Sequence, residues 1–99
     1  MPILDDIKTM LDINLEDDSY DLKLNIIIED GKQCLRKFNP LLTDEDFENP
    51  TDARYLLHSY CRYARSNATE MFKTNYKDDL LTLRQEYEVA AEYGNQNTD

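Results

Sequence analysis

The sequence predicts an all-α domain: a small bundle of about four helices, in which the third and fourth form a long hairpin preceded by a short loop helix. Three observations carry this expectation. Apolar residues recur at helical spacing through most of the chain, as helices with one buried face require. Two glycines and three prolines in 99 residues leave little punctuation for the tight turns of a small β domain. Hydrophobic residues make up 40% of the chain and aromatic residues 10%, including seven tyrosines, which is core material that a disordered chain lacks. The length allows a single domain, expected over residues 1–93. Such a chain buries roughly 65% of its unfolded surface, which excludes a large active-site cleft between domains.

The first helix is expected over about residues 3–12, where Leu4, Ile7 and Leu11 share a face and Asp5 and Asp6 meet the positive end of the helix dipole. Residues 14–18 are polar and acidic. Asp18, followed by Asp21, reads as an N-cap, so the second helix should begin near Ser19. Its stripe runs through Tyr20, Leu24, Ile27, Ile28, Cys34 or Leu35, and Phe38, until Asn39-Pro40 ends it. Gly31 interrupts that stripe at a cost of about 1 kcal/mol relative to Ala, which predicts the close approach of another backbone. Residues 41–49 contain a capping signal, Thr43-Asp44-Glu45-Asp46, and read as a surface loop with a turn of helix anchored by Phe47.

Asn49, as cap, and Pro50, in the first helical position, open the third helix. It should bury Leu56, Leu57, Tyr60, Ala64, Ala68, Met71 and Phe72. The same face continues through Tyr76, Leu80, Leu83 and Tyr87, so periodicity leaves open whether the helix runs on. Thr74-Asn75 is the weakest helix-forming stretch and the expected break, with a fourth helix from about Tyr76 to Glu92. Residues 94–99 contain no apolar side chain and are expected to be a disordered tail.

The chain carries 21 acidic and 11 basic residues, a formal charge of -10. A protein whose task is to grip nucleic acid or an anionic membrane needs clustered cations, so these classes are disfavoured. No run approaches the length of a membrane span, and no signal sequence opens the chain, so a reducing cytoplasm with free thiols is expected. The acids crowd the first 21 positions and then residues 44–52, whereas Arg54, Arg62, Arg65, Lys73, Lys77 and Arg84 lie on the third and fourth helices. Solvated helix faces with local ion pairs account for such a pattern at a few tenths of a kcal/mol per pair. The sharper reading is head-to-side complementarity, with an acidic patch on one copy meeting Arg62 and Arg65 on the next. Tyr55, Tyr60, Tyr63, Tyr76, Tyr87 and Tyr93 all fall in the second half, more than a small core hides, and tyrosine suits protein interfaces.

No catalytic set emerges, and the chain is read as a non-enzyme without cofactor or metal. Cys34, Cys61 and His58 have no zinc-site spacing. Ser59, next to His58 in sequence, points to a different helix face. Asp44, Asp46 and Glu48 alternate as in a calcium loop, but Asn49 stands where that loop needs Gly and Tyr55 where it needs Glu. Asp18-Ser19-Tyr20 is a distant echo of the Asp-Ser-Leu of acyl carrier proteins, with the wrong third residue.

The segment from Leu4-Asp5-Asp6-Ile7-Lys8-Thr9-Met10-Leu11-Asp12-Ile13, through an acidic gap, to Asp21-Leu22-Lys23-Leu24-Asn25-Ile26-Ile27-Ile28-Glu29-Asp30 and Phe38-Asn39-Pro40 resembles the head-tail connector (adaptor) proteins of long-tailed bacteriophages. Tyr60-Cys61-Arg62-Tyr63-Ala64-Arg65-Ser66-Asn67-Ala68, then Phe72, Asn75, Tyr76 and Leu80-Leu81-Thr82-Leu83, is similar to that family's long helix and the segment after it. The resemblance spans about residues 3–90. It implies a helical subunit that assembles into a ring of about a dozen copies beneath the portal protein. Such a ring extends the DNA channel, without specific DNA binding, and docks the next connector or tail component. It also implies a place in the virion at the head-tail junction, synthesis in the bacterial cytoplasm, and a portal-gripping C-terminal segment in which Val89 and Tyr93 are the apolar anchors. Surplus acid on a channel wall would keep DNA from sticking. Arg62, Tyr63, Arg65 and Glu70, beside the apolar face of the third helix, are the subunit-interface candidates. The alternative is a small acidic regulatory or inhibitory module that binds one protein partner.

Overall fold

The computed structural model describes residues 3–96, with side chains through residue 92, and among them every regular element is a helix. Six follow in order: α1 (Ile3–Met10), α2 (Asp21–Phe38), α3 (Asp44–Glu48), α4 (Asp52–Arg65), α5 (Thr69–Asn75) and α6 (Lys77–Gln96). The all-α expectation holds. The third helix of the expected bundle, however, is two helices, α4 and α5, so the two-helix hairpin is replaced by three elements in sequence.

α1 places Ile3 and Ile7 in the core, with Leu4 and Leu11 packed at its edge. It ends two residues earlier than expected because Asp12 takes a left-handed conformation, φ 60°. The Asp12 N–H donates to the Thr9 carbonyl at 3.2 Å and the Ile13 N–H to the Lys8 carbonyl at 2.8 Å. That pair of bonds is a Schellman motif, which satisfies the last carbonyls and turns the chain.

α2 begins at Asp21 rather than near Ser19. The acid that shapes its approach is Asp17, whose carboxylate accepts from the Ser19 N–H at 3.0 Å and from the Ser19 hydroxyl at 2.5 Å. Tyr20, not Asp18, occupies the cap position and supplies no side-chain cap bond. Leu24, Ile28, Gly31 and Leu35 form the buried stripe, while Cys34 sits at its margin and Tyr20 is largely exposed. At Gly31 the close neighbours are side chains of α4 rather than a backbone: an added Cβ would lie 2.7 Å from Leu57 Cδ1 and 2.8 Å from Tyr60 Cδ1.

α3 forms as the capping signal requires. The Thr43 side chain accepts from the Asp46 N–H and the Asp46 carboxylate accepts from the Thr43 N–H, a reciprocal capping box. Phe47 on this single turn is fully buried. The cap of α4 is Thr51, whose hydroxyl oxygen accepts from the Arg54 N–H at 3.2 Å. Asn49 instead closes α3, and Pro50 falls in the connection. Thr51 stands immediately before Asp52 with an extended backbone, φ -122° and ψ 169°, which aims its hydroxyl at the free N–H groups of the first turn. Asn49, also extended, lies two residues farther back.

α4 buries Ala53, Leu56, Leu57 and Cys61 and ends in a second Schellman motif. Asn67 is left-handed at φ 56°, its N–H donating to the Ala64 carbonyl at 3.0 Å and that of Ala68 to the Tyr63 carbonyl at 2.8 Å. The turn reorients α5 so that Phe72 is buried while Met71, expected inside, is 59% exposed. The break expected near Thr74-Asn75 is present at Tyr76, which caps α5 and leads into α6. Leu80 and Leu83 of α6 are buried. α6 continues to Gln96, past the expected end at residue 92, and so covers the first three residues of the expected disordered tail. The rest of that tail, residues 97–99, lies outside the described residues. α2 and α4 together form the centre: α2 packs on α1, α4 and α6, and α4 also packs on α1, α3 and α5.

Candidate interaction surfaces

The loop between α1 and α2 is held from beneath by a buried lysine. Lys8 is 2% exposed and lies on the same face of α1 as Leu4, Ile7 and Leu11. Its ammonium donates to the Leu15 carbonyl at 3.2 Å, the Asp17 carbonyl at 2.6 Å and the Asp21 carboxylate at 2.8 Å. Three donors meet three acceptors, which removes the main penalty of placing the ammonium inside. Above this anchor the loop presents Leu15, half exposed, with Glu16, Asp17 and Asp18 exposed beside it. The sequence signal was a lysine on an apolar stripe facing an acidic loop.

The four interface candidates do not behave alike. Arg65 Nη1 donates to the Leu11 carbonyl at 3.3 Å, and the guanidinium lies 5.6 Å from the Tyr20 ring centre. It clasps the end of α1 within its own chain. The Tyr63 hydroxyl accepts from Asn75 Nδ2 at 3.1 Å, and its ring stands edge-on to Phe72 and Tyr76. Arg62 and Glu70 are exposed. Four of the second-half tyrosines form a network within the chain: Tyr60, Tyr63 and Tyr76 surround Phe72, and Tyr55, 58% exposed, extends it to the surface. Val89 is exposed on α6; Tyr93 lies on the same helix, but its side chain is outside the described residues.

A groove of about 610 Å3 opens where α2, α4, α5 and α6 meet. Its apolar surface comes from Phe38, Tyr60 and Leu81, and its cations are Lys37, Lys73 and Arg84. Among the lining residues Asp30 is the one acid. Arg84 pairs with Glu88 at 3.2 Å, whereas Lys37 and Lys73 have no ion pair among the described residues. Cys34 also lines the groove; burial pushes its thiol up, and the charges of Lys73 and Lys37 offset part of that rise. Sequence reading missed this site because its residues come from four helices at separations unrelated to any motif.

The remaining reactive groups are buried, half-buried or already paired. Burial pushes the Cys61 thiol up to about 12. Burial, then the charge of Arg54, pushes His58 below its ordinary value, while Asp6 opposes the shift, and His58 Nε2 has no hydrogen-bond partner among the described residues. Asp44, first of the calcium-like acids, is bound by Arg36 Nη2 at 3.1 Å and Lys32 Nζ at 3.4 Å, and those cations hold its carboxyl below the usual range. Among the described residues no three His, Cys, Asp or Glu side chains converge to hold a metal ion. No described helix is long and apolar enough to cross a membrane. Comparisons of the chain with models of known families, with curated proteins and with solved structures found no match.

Proposed function

We propose that this chain is a structural connector subunit of a bacteriophage head-tail junction, acting by self-association into a ring and by docking between the portal and the next connector or tail component. The observation that carries the reading is the separation of two complementary surfaces on one helical body. The acidic loop at residues 14–18 is braced by Lys8, and the cation-rimmed groove lies farther along α2. Unlike surfaces at separate places on one subunit support a heterologous contact, which closes into a ring when its rotation allows. The resemblance over residues 3–90 supports the same reading and supplies the place of action.

Arg65 is better placed as an internal clasp than as the partner of an acidic patch, since it already holds the end of α1. Arg62 and Glu70 stay available for contacts between subunits, and Val89 for contact with the portal. The test is to mix the purified chain with purified portal rings and image them by electron microscopy. An added layer with the rotational symmetry of a ring is expected. Bare portals at a large excess of the chain would overturn the assignment.

A further inference from the structure

We propose that the groove between α2, α4, α5 and α6 receives the residues 14–18 loop of a second copy of this chain, Leu15 entering the groove and Glu16 and Asp18 meeting Lys37 and Lys73. This rests on the connector reading and specifies which surfaces join.

Charge complementarity selects the occupant. The chain carries -10 overall, yet three of its 11 cations rim this one groove, and two of them have no ion pair among the described residues. The apolar surface of Tyr60, Phe38 and Leu81 calls for an apolar side chain flanked by acids. The loop at 14–18 has that composition, with Leu15 50% exposed and next to Glu16. In the other acidic segment two acids are engaged at home, Asp44 holding Arg36 and Lys32 and Asp46 closing the α3 capping box. The exposed Glu45 and Glu48 there flank Phe47, which is buried and so offers no apolar side chain to a groove. The Lys8 ammonium fixes the Leu15 and Asp17 carbonyls, so the loop loses little freedom on docking. A chain cannot fill its own groove. Asp21, at the base of the loop, and Cys34, in the groove, are separated by about 20 Å along α2 at 1.5 Å per residue. The contact is therefore head-to-side and generates a ring when its rotation closes.

Cys34 in the groove supplies the test. The Leu15→Cys variant, concentrated without portal and oxidised with diamide, should form a ladder of covalent oligomers through disulfides between position 15 of one copy and Cys34 of the next. Peptide mass spectrometry identifies the link, and adding Cys34→Ser should abolish the ladder. Cys61 is fully buried and stays silent. In the Leu15→Cys background, Glu16→Lys with Asp18→Lys should cut the ladder on the order of tenfold, as should Lys37→Glu with Lys73→Glu, while all four changes together restore it. Helicity measured by circular dichroism shows that each variant is folded. Links only between two position-15 residues, monomers alone, or no rescue by the fourfold swap would overturn the proposal. A layer on portals without the 15-to-34 link sinks this contact and spares the connector reading; the link without a layer does the reverse.

Discussion

The Lys8 ammonium has three donors and finds three acceptors, two carbonyls of the acidic loop and the carboxylate of Asp21 at the first turn of α2. One side chain thereby ties α1, the loop and α2 together. Lys8→Met keeps the aliphatic stem but leaves these acceptors without their donor, so unfolding by urea should show a loss of about 1–3 kcal/mol. His58 gives a second prediction at this scale. Its folded value lies below the ordinary 6.5, with burial the leading cause, so the unfolded chain binds a proton that the folded chain resists. The His58 contribution is therefore fully present above the unfolded value and is lost as pH falls through it toward the folded value. Urea midpoints should decline between about pH 8 and about pH 5, and His58→Gln should flatten that decline. Asp17 and Asp44 do not confuse the measurement, because both are held below 3.8 by hydrogen bonds and act in more acidic solution.

At the scale of elements, Gly31 shows how a packing contact overrides propensity. Ala there gains about 1 kcal/mol of helix propensity. Its Cβ, however, would stand 2.7 Å from a methyl of Leu57, which is completely buried, and 2.8 Å from the Tyr60 ring. Gly31→Ala should therefore cost a net of about 1–2 kcal/mol, read as a lower urea midpoint with an unchanged slope. Stabilisation would mean that Tyr60 swings aside. Local elements were legible where a side chain satisfies its own backbone, as Thr43 and Asp46 do at α3, with Phe47 as its buried anchor. The turn at residues 66–68 was not, because Ala64, Ala68 and Phe72 keep helical spacing across it. Asn67 was the available signal, since Asn tolerates the left-handed conformation that ends α4.

At the scale of the molecule, the chain is elongated, 53 × 28 × 19 Å, with a radius of gyration of 14.9 Å. A compact chain of this length has a radius of about 13 Å. Within the elongated chain the loop and the groove lie about 20 Å apart along α2, a separation that the proposed contact between copies requires. Charge contributes most of the steering, so the yield of the 15-to-34 cross-link should fall several-fold between about 50 mM and about 500 mM salt. A yield indifferent to salt would count against the pairing of Glu16 and Asp18 with Lys37 and Lys73.

By itself the sequence determined what depends on neighbours three and four residues apart: the helical class, the buried stripe of α2, the Phe47 anchor and the position of the two acidic clusters. Only the tertiary structure decided which charges are free to act. It drew Arg65 and Asp44 into contacts within the chain, placed Lys8 inside, and gathered Lys37, Lys73 and Arg84 around one groove. The physical reason is range. Helical periodicity is a local property of the chain, whereas a surface assembled from four helices depends on where turns such as those at Asp12 and Asn67 send the next element.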